Sequence, residues 1–509
     1  MNRSVQTIAR DIGLVLHVPA AMALLSTPIC FLAGEGYAAP GFLWTAAVSI
    51  ALGQILYWSC RQAEPTRQAE AMLVSALAWL VIPLMGAIPF LATGTGPVVS
   101  QAEPNQLHAP WNAVFESFSG FTGTGLTMAI RPGTLPRSLQ WWRSFSEWIG
   151  GIGVLVMMLA VLRPAVGAHH LYFGEGREDR ILPSIAATAR MIWRIYLLYT
   201  ALSILGLKLA GMTWWESLNH AMTGIATGGF GVTDGNIADF GPGIRLALIP
   251  VMLAGMLSFA IHYDFLTSRR LSAFWSDSQH RLLWLLVLIG PPVVAAENYW
   301  GTSDARWIDS LFHWVSALST AGFQAADLHL WTPTAQLLLC GAMIIGGAAG
   351  STAGGLKELR LVLLYKGLKW RFRRIHLTRH EFMRYRLDGR PLSAEEGERL
   401  VESAAILVVI WLILLAAAVI VLLHFTPGRY ELSEVFLEAA SAQSNVGLST
   451  GITHPSLPWP AKLTLIGCMW LGRLEIIPAL LLGMSIVRRR RSTTRNGKQT
   501  PDPWTWTGP

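Results

Sequence analysis

Four short segments of this sequence place glycine in the same small-residue context. Aligned on their shared glycine, they read Gly-Thr-Gly-Leu (123–126), Thr-Gly-Gly-Phe (227–230), Thr-Ala-Gly-Phe (320–323) and Asn-Val-Gly-Leu (445–448). Such segments offer backbone carbonyl and hydroxyl oxygens at close range, and none of the four contains an acidic residue. Dipoles of this kind bind a dehydrated monovalent cation, whereas a divalent cation prefers carboxylates. The pattern therefore predicts a cation pathway lined by backbone carbonyls.

The predicted ligands of the cation are the three leading residues of each segment. They are Gly123, Thr124, Gly125, Thr227, Gly228, Gly229, Thr320, Ala321, Gly322, Asn445, Val446 and Gly447. Short helices are predicted directly before them, at 110–122, 214–226, 308–319 and 432–444, with C-terminal ends that point at the pathway and favour a cation there. The alternative is that these glycines are helix-packing positions, which are common in membrane bundles. Four copies in register favour the pathway.

The composition indicates that these segments lie in a membrane. Of the 509 residues, 52% are hydrophobic and 14% are charged, and the mean hydropathy is +0.42, whereas soluble proteins carry about 25% charged residues. A membrane-crossing helix needs about 20 apolar residues. Ten segments meet that requirement: 13–35, 42–60, 71–93, 145–163, 187–211, 245–266, 281–297, 335–365, 402–424 and 462–487. Each glycine segment falls between two of the last eight.

The predicted fold is an all-α polytopic membrane protein with ten transmembrane helices. Four pseudo-symmetric span–pore loop–span repeats surround a central pore, and two extra spans precede them. The predicted division is two N-terminal spans in 1–68, repeats 1 and 2 in 69–180 and 181–275, repeat 3 with a gating loop and a basic cytoplasmic segment in 276–390, repeat 4 in 391–490 and a cytoplasmic tail in 491–509.

The basic residues predict the orientation. Lys and Arg cluster at 61–67, 163–194, 269–270, 357–386 and 488–491, whereas the opposite connectors carry almost none. Under the positive-inside rule both termini are cytoplasmic and the glycine segments enter from outside. This distribution assigns the net charge of +8 to topology and not to nucleic-acid binding.

Two further features are predicted to lie on the pathway. The eighth span contains a glycine-rich run that is a poor helix former and is interpreted as an intramembrane gating loop; its residues are Gly346, Gly347, Gly350, Ser351, Thr352, Gly354 and Gly355. Arg473 lies deep in the last span, where an arginine normally faces a partner or a cavity. We interpret Arg473 as a pore-facing barrier to cations, with a structural ion pair as the alternative.

Other polar residues carry weaker predictions. His220 and His313 each lie nine residues before their loop glycine, where the other repeats have Glu116 and Glu438. They are interpreted as polar residues of the short helices and not as metal ligands. The basic segment 366–386 is expected to contact either anionic lipid or a cytosolic subunit. A membrane-embedded enzyme would need a paired-carboxylate, HExxH or bis-histidine pattern in the spans, and the sequence has none.

The glycine segments, together with Gly-Gly-Ala-Ala-Gly-Ser-Thr-Ala-Gly-Gly-Leu-Lys (346–357) and Gly-Arg-Leu-Glu (472–475), resemble the TrkH-type potassium uptake subunit of the Trk/Ktr/HKT superfamily. The resemblance covers about residues 70–490, and the two leading spans fit the TrkH branch. It implies a pseudo-fourfold pore with K+, the transported ion, held around the four glycines, an intramembrane gating loop at 346–355 and a constricting Arg473. It implies no catalytic cofactor.

The resemblance also implies partners and a location. These are membrane lipid, a homodimer, a cytosolic TrkA-type nucleotide-binding regulatory subunit, and the bacterial cytoplasmic (inner) membrane. In this superfamily serine at the first glycine goes with sodium permeation, so Gly125 favours potassium. Position 123 is glycine where the family pattern has threonine. Three mechanisms remain open: a gated potassium channel, a sodium- or proton-coupled potassium symporter, and a sodium-permeable member of the same superfamily.

Overall fold

The structure is a computed structural model, and it describes residues 3–93, 106–153, 184–301, 307–376 and 383–494. Nineteen α-helices occur in these ranges. They are α1 Arg3–Val15, α2 His17–Leu32, α3 Ala39–Ser59, α4 Gln68–Gly86, α5 Ile88–Thr93, α6 Pro110–Thr122, α7 Arg137–Ile152, α8 Ile185–Leu209, α9 Trp214–Ile225, α10 Pro242–Met256, α11 Phe259–Ser268, α12 Ser278–Trp300, α13 Trp307–Leu318, α14 Pro333–Ile345, α15 Glu358–Ile375, α16 Ala394–Phe425, α17 Leu432–Gln443, α18 Trp459–Arg473 and α19 Ile477–Thr494.

The architecture is that of an all-helical membrane protein. Within the described ranges, six helices or helix runs are long and apolar enough to cross a membrane. The number rises to eight if two bent helix pairs each count as one span. The short helices α6, α9, α13 and α17 lie within two residues of their predicted positions. Each is packed against the following long segment of its own repeat or of its neighbour, so the four surround a common centre.

The prediction of continuous helices is wrong for spans 245–266 and 462–487, whereas the break within 335–365 agrees with the glycine-rich run predicted to be non-helical. In each repeat the helix after the glycine segment stops partway. The first helical parts end at Ile152, Met256, Ile345 and Arg473. Helices α10 and α11 meet at 101°, and α18 and α19 meet at 114°. Glu475 and Ile476 have φ of 52° and 73°, values that an α-helix of L-residues cannot contain. The predicted spans 245–266, 335–365 and 462–487 are therefore each divided.

A small β-hairpin in the basic segment departs from the all-α prediction. Tyr385–Leu387 and Arg390–Leu392 pair as antiparallel strands. The connecting residues Asp388 and Gly389 have φ of 47° and 81°. Two positive φ values in a two-residue Asp-Gly loop are typical of a type I′ turn. The sequence carried this signal, and the prediction overlooked it.

Some predictions concern residues outside the described ranges. They are the second half of the fourth span (154–163), most of the basic stretch 163–194, residues 377–382 of the basic segment and the end of the predicted cytoplasmic tail (495–509).

Candidate functional site

The four glycine segments, here called glycine loops 1 to 4, share one backbone conformation. In each loop the first and third residues have positive φ: 67° and 80° in loop 1, 54° and 88° in loop 2, 56° and 69° in loop 3, and 54° and 107° in loop 4. The N–H of the second residue donates to the carbonyl of the residue five positions earlier, at 2.8–2.9 Å in all four loops. This is the Schellman ending of a helix, repeated four times.

This geometry explains the residue at position 123. The first loop position is left-handed in every repeat, and glycine adopts that conformation without strain. Gly123 therefore fits where loops 2 to 4 hold Thr227, Thr320 and Asn445. The Asn445 side chain donates to the Thr124 hydroxyl at 2.9 Å, which links loop 4 to loop 1.

The third glycines bring the four loops together into a closed ring. A methyl group built on Gly125 would lie 2.0 Å from the Gly228 carbonyl oxygen of loop 2. The same construction leads from loop 2 to loop 3, from loop 3 to loop 4 and from loop 4 back to loop 1, where the distances are 2.3, 1.7 and 2.4 Å to the carbonyl oxygens of Ala321, Val446 and Thr124. No side chain fits at any of these glycines. These approaches involve the second and third residues of each loop, which are eight of the twelve predicted ligand residues.

Polar side chains of the short helices support the loops from behind. In repeats 1, 3 and 4 the side chain nine residues before the loop glycine accepts the N–H of the residue three positions after that glycine: Glu116 from Met128 at 2.7 Å, His313 from Ala325 at 3.1 Å and Glu438 from Thr450 at 3.3 Å. His220 holds this position in repeat 2, but its Nε2 has no hydrogen-bond partner among the described residues. These contacts do not identify His220 or His313 as a metal ligand.

A second set of contacts, here called the inter-repeat belt, joins neighbouring repeats above the ring. One polar residue of each following helix contacts the first turn of the next short helix: Gln140 with Trp215, Arg245 with Asp309, Gln336 with Ser433 and Lys462 with Asn112. Each also donates to a carbonyl of its own connector, at 2.7–3.2 Å. This belt was not predicted from the sequence. Its members lie 14 to 16 residues after the aligned glycines, a spacing that could have revealed them.

The predicted gating residues lie directly beneath glycine loops 2, 3 and 4. The Thr352 hydroxyl is 2.8 Å from the Gly255 carbonyl oxygen and 3.3 Å from the Thr227 hydroxyl. The Thr320 hydroxyl accepts the Gly354 N–H at 2.7 Å. A methyl group on Gly354 would lie 1.9 Å from the Ser444 carbonyl oxygen of the turn that leads into loop 4. The segment is non-helical, and it bonds to three of the four repeats.

The remaining gating residues shape the segment itself. Gly346, Gly350 and Gly355 have φ of 69°, 76° and 76°. A methyl group on Gly347 would lie 2.6 Å from the Ala353 side chain. The Ser351 hydroxyl donates to the Ala348 carbonyl at 2.6 Å.

Arg473 lines a cavity below the ring together with the gating segment. The cavity has a volume of about 50 Å³, and Gly153, Gly354, Lys357 and Asn445 also border it. The guanidinium group donates to the carbonyls of Gly150 and Gly151 at the C-terminal end of α7 and lies 5.0 Å from the centre of the Trp79 ring. A cation at a helix C-terminus is favoured by the helix dipole. Neighbouring Glu475 forms an ion pair with Arg360 of α15.

Outside the ring, a histidine–carboxylate pair joins the connector after loop 3 to the start of α17. His329 is exposed, and its hydrogen bond to Glu434 raises its pKa above the usual value of 6.5. Because the folded pKa is raised, the stabilisation is fully present below about pH 6.5 and is lost as the pH rises through the raised pKa.

His329→Gln should thus lower the unfolding midpoint more at about pH 5.5 than at about pH 8.5, with an effect of less than about 1 kcal/mol. Thermal unfolding of both proteins measures this, with His424→Gln as the control for an exposed histidine. An equal effect at the two pH values would contradict it.

The chain is similar to known cation transport proteins. Residues 39–491 match the family of TrkH cation transport proteins. An uncharacterized cation transporter of Methanocaldococcus jannaschii is 34% identical over 417 residues, which are 81% of this chain and 82% of the relative. The Trk system potassium uptake protein TrkH of Salmonella typhimurium is 30% identical over 497 residues, with 94% and 98% of the two chains covered.

A solved structure agrees with these relatives. The crystal structure of the potassium transporter TrkH from Vibrio parahaemolyticus matches with a TM-score of 0.80 and 27% identity, over 94% of this chain and 98% of that one. The resemblance drawn from the glycine loops is thereby confirmed, and so is the prediction of a transport protein in place of an enzyme. The chain belongs to the TrkH family of cation transport proteins.

Proposed function

We propose that this protein takes up potassium across the bacterial cytoplasmic membrane through the ring of glycine loops. The observation that carries the proposal is the closed cycle of close approaches between each glycine and a carbonyl of the next loop. Four carbonyl-bearing strands around one axis can replace the hydration shell of a potassium ion. The relatives named as potassium uptake proteins support the choice of ion.

In this proposal the twelve predicted ligand residues of the glycine loops are the selectivity filter, the 346–355 segment is the gate and Arg473 is the barrier below the filter. Hydrogen bonds from the gate to loops 2 and 3 and to the turn before loop 4 hold it across the pathway. Arg473 places a fixed positive charge on the cavity wall, because arginine stays charged at any physiological pH.

The membrane topology of the proposal has ten crossings, with four repeats after two leading spans and both termini in the cytoplasm. Two further crossings are added to the eight candidate spans. One is the predicted span 145–163, which contains the second half of α7, and the other is formed by α14 and α15 on the two sides of the gate. The basic residues at 61–67, 269–270 and 357–386 then all lie on the cytoplasmic side, which agrees with the positive-inside rule.

The proposal includes partners on the cytoplasmic side. The α15 helix and the hairpin after it carry exposed basic side chains, including Arg371, Arg373 and Arg386. This surface would receive a TrkA-type nucleotide-binding subunit, and its outer edge would face anionic lipid. Two copies of the chain would form a dimer on that subunit.

Transport by the purified protein in liposomes tests the proposed function. Uptake of potassium, rubidium and sodium is measured from opposing gradients, with and without a proton gradient. We expect saturable uptake of potassium and rubidium that exceeds that of sodium and needs no proton gradient. Strict dependence on a proton or sodium gradient would establish a symporter in place of a gated channel. Equal uptake of sodium would assign the chain to the sodium-permeable branch, and no uptake of any of the three ions would reject the proposal.

Gly125→Ser is expected to weaken the discrimination of potassium from sodium. The new Cβ would lie 2.0 Å from the Gly228 carbonyl oxygen, and φ at this position is +80°, so two of the four strands must move. The ratio of potassium to sodium uptake in vesicles measures the effect. Gly451→Ser is the matched control, because φ there is +93° and nothing lies within 4 Å of the new Cβ. An unchanged ratio for Gly125→Ser would remove loop 1 from the filter.

A further inference from the structure

A buried carboxyl group lies directly behind glycine loop 2. Glu147 belongs to α7 and is completely buried. Its Oε2 accepts the N–H of Phe230, the last residue of loop 2, at 3.1 Å. Its Oε1 has no hydrogen-bond partner among the described residues. Buried carboxyl oxygens are almost always paired, so an unpaired one needs an explanation.

Only the backbone of Gly228 lies between the Glu147 carboxyl group and the ring. A methyl group built on Gly228 would lie 2.5 Å from both Cδ and Oε2 of Glu147. The Gly228 carbonyl oxygen is the one that approaches Gly125 within the ring. Glu147 therefore occupies the outer side of a residue whose carbonyl belongs to the pathway, and the missing side chain at position 228 is what lets the two approach.

The cation nearest to Glu147 in sequence is engaged elsewhere. Arg143 donates to Glu116 at 2.6 Å, to the Gly231 carbonyl at 2.9 Å and to the Thr127 hydroxyl at 3.0 Å. Packing also does not require an acid at this place. Glu147 lies five residues before the end of its helix. At the same distance from the end of the corresponding helix, the other three repeats hold buried residues without a carboxyl group, namely Val251, Cys340 and Cys468. The acid is specific to one quadrant of the ring.

We propose that Glu147 is a further residue that sets the affinity of the ring for its cation, by holding loop 2 through the Phe230 amide and by supplying a negative charge next to the pathway. This inference rests on the proposed function. A buried carboxylate with one oxygen unpaired is costly, and a cation between the carbonyls offsets that cost. Ion binding and the charged form of Glu147 therefore favour each other, and the coupling is reciprocal. Glu147 acts through the backbone and its field and is a positioning residue.

The titratable groups around Glu147 are few. Arg143 on the same helix and Glu116 on α6 are the charges that act on it. Of the other helices packed against α7, α9 carries Glu216 and His220, α2 carries His17, and α8, which contacts Trp148, carries Arg190, Arg194 and Lys208. None of these side chains forms a hydrogen bond or ion pair with Glu147 among the described residues. Because Glu116 is paired with Arg143, Glu147 is the group whose proton is expected to compete with the transported ion.

Glu147→Gln separates charge from shape in the liposome assay. The amide keeps an oxygen acceptor for the Phe230 N–H and removes the charge. We expect the potassium concentration for half-maximal uptake to rise about tenfold, which corresponds to about 1.4 kcal/mol, with a maximal rate within about twofold of the wild type. In the wild type this concentration should fall as the pH rises, and in Glu147→Gln it should be independent of pH. Glu402→Gln, at an exposed position of α16, is the matched control and should behave as the wild type.

A second variant guards against a failure to fold. Glu147→Asp keeps the charge, so its half-maximal concentration should stay within about threefold of the wild type and should retain the pH dependence. The inference is overturned if Glu147→Gln matches the wild type in both affinity and pH dependence, or if Glu147→Asp loses the pH dependence. A wild-type protein that transports no potassium would reject the proposed function itself, and that outcome is visible before any variant is compared.

Discussion

Arg473→Ala is expected to raise the maximal rate of potassium uptake by roughly 30-fold and to leave the preference for potassium over sodium unchanged. A fixed positive charge roughly 8 Å from a potassium ion raises the ion's energy by about 2 kcal/mol at an effective dielectric constant of about 20. In the proposed function the carbonyls of the ring set the ion preference, whereas Arg473 donates to the carbonyls of Gly150 and Gly151 and lies over the Trp79 ring.

The competing expectation is structural. Arg473 bonds to two carbonyls at the end of α7 and stacks on Trp79, so its removal could destabilise the bundle. Initial uptake rates and the unfolding midpoint, measured on the same purified variant, separate the two. Arg473→Lys keeps the charge and is the control, with a rate close to that of the wild type. A destabilised Arg473→Ala protein with reduced uptake would end the barrier assignment.

Deletion of residues 349–352 is expected to raise basal uptake in the absence of any cytosolic subunit. The segment bonds from beneath to three repeats and builds none of the ring carbonyls. If the segment is the proposed gate, its removal should open the pathway and leave the glycine approaches intact. Each hydrogen bond that holds the segment contributes about 1 kcal/mol, so the loss of several should increase the open population by a factor of ten or more.

A milder pair of variants tests the same assignment without shortening the chain. Thr352→Val has the same shape and removes the hydroxyl that contacts Gly255 and Thr227, whereas Thr352→Ser keeps it. Basal uptake should increase in the first and remain unchanged in the second. If the deletion abolishes uptake in a protein that still folds and inserts, the segment is part of the conduction path and not a gate.

The short helices and their glycines could be predicted because their signals are local. A helix that ends in a left-handed residue is encoded within a few positions of chain, as at Gly123, where glycine adopts φ of 67° without strain. Repetition then identified the other three copies. The Asp388-Gly389 turn was equally local, and it was recoverable from the sequence.

The break between α10 and α11 could not be predicted, because what stabilises it is distant in sequence. The carbonyls of Gly255 and Met256, at the end of α10, accept N–H groups from Thr352 and Ala348 of the gating segment. A hydropathy window sees only a continuous apolar run there. Glu147 was missed for the same reason, since Phe230 is 83 residues further along the chain.

The inter-repeat belt has a consequence for how the protein is made. Its last contact joins Lys462 to Asn112, and 350 residues separate the two. At a synthesis rate of about 5–20 residues per second, roughly 20 to 70 seconds pass between the appearance of Asn112 and that of Lys462. Until then the first repeat has no neighbour on one side, and its half-helix presents polar groups that only the fourth repeat can satisfy. In the proposed function, the ring and the ion preference that depends on it would therefore be complete only once the final quarter of the chain is synthesised.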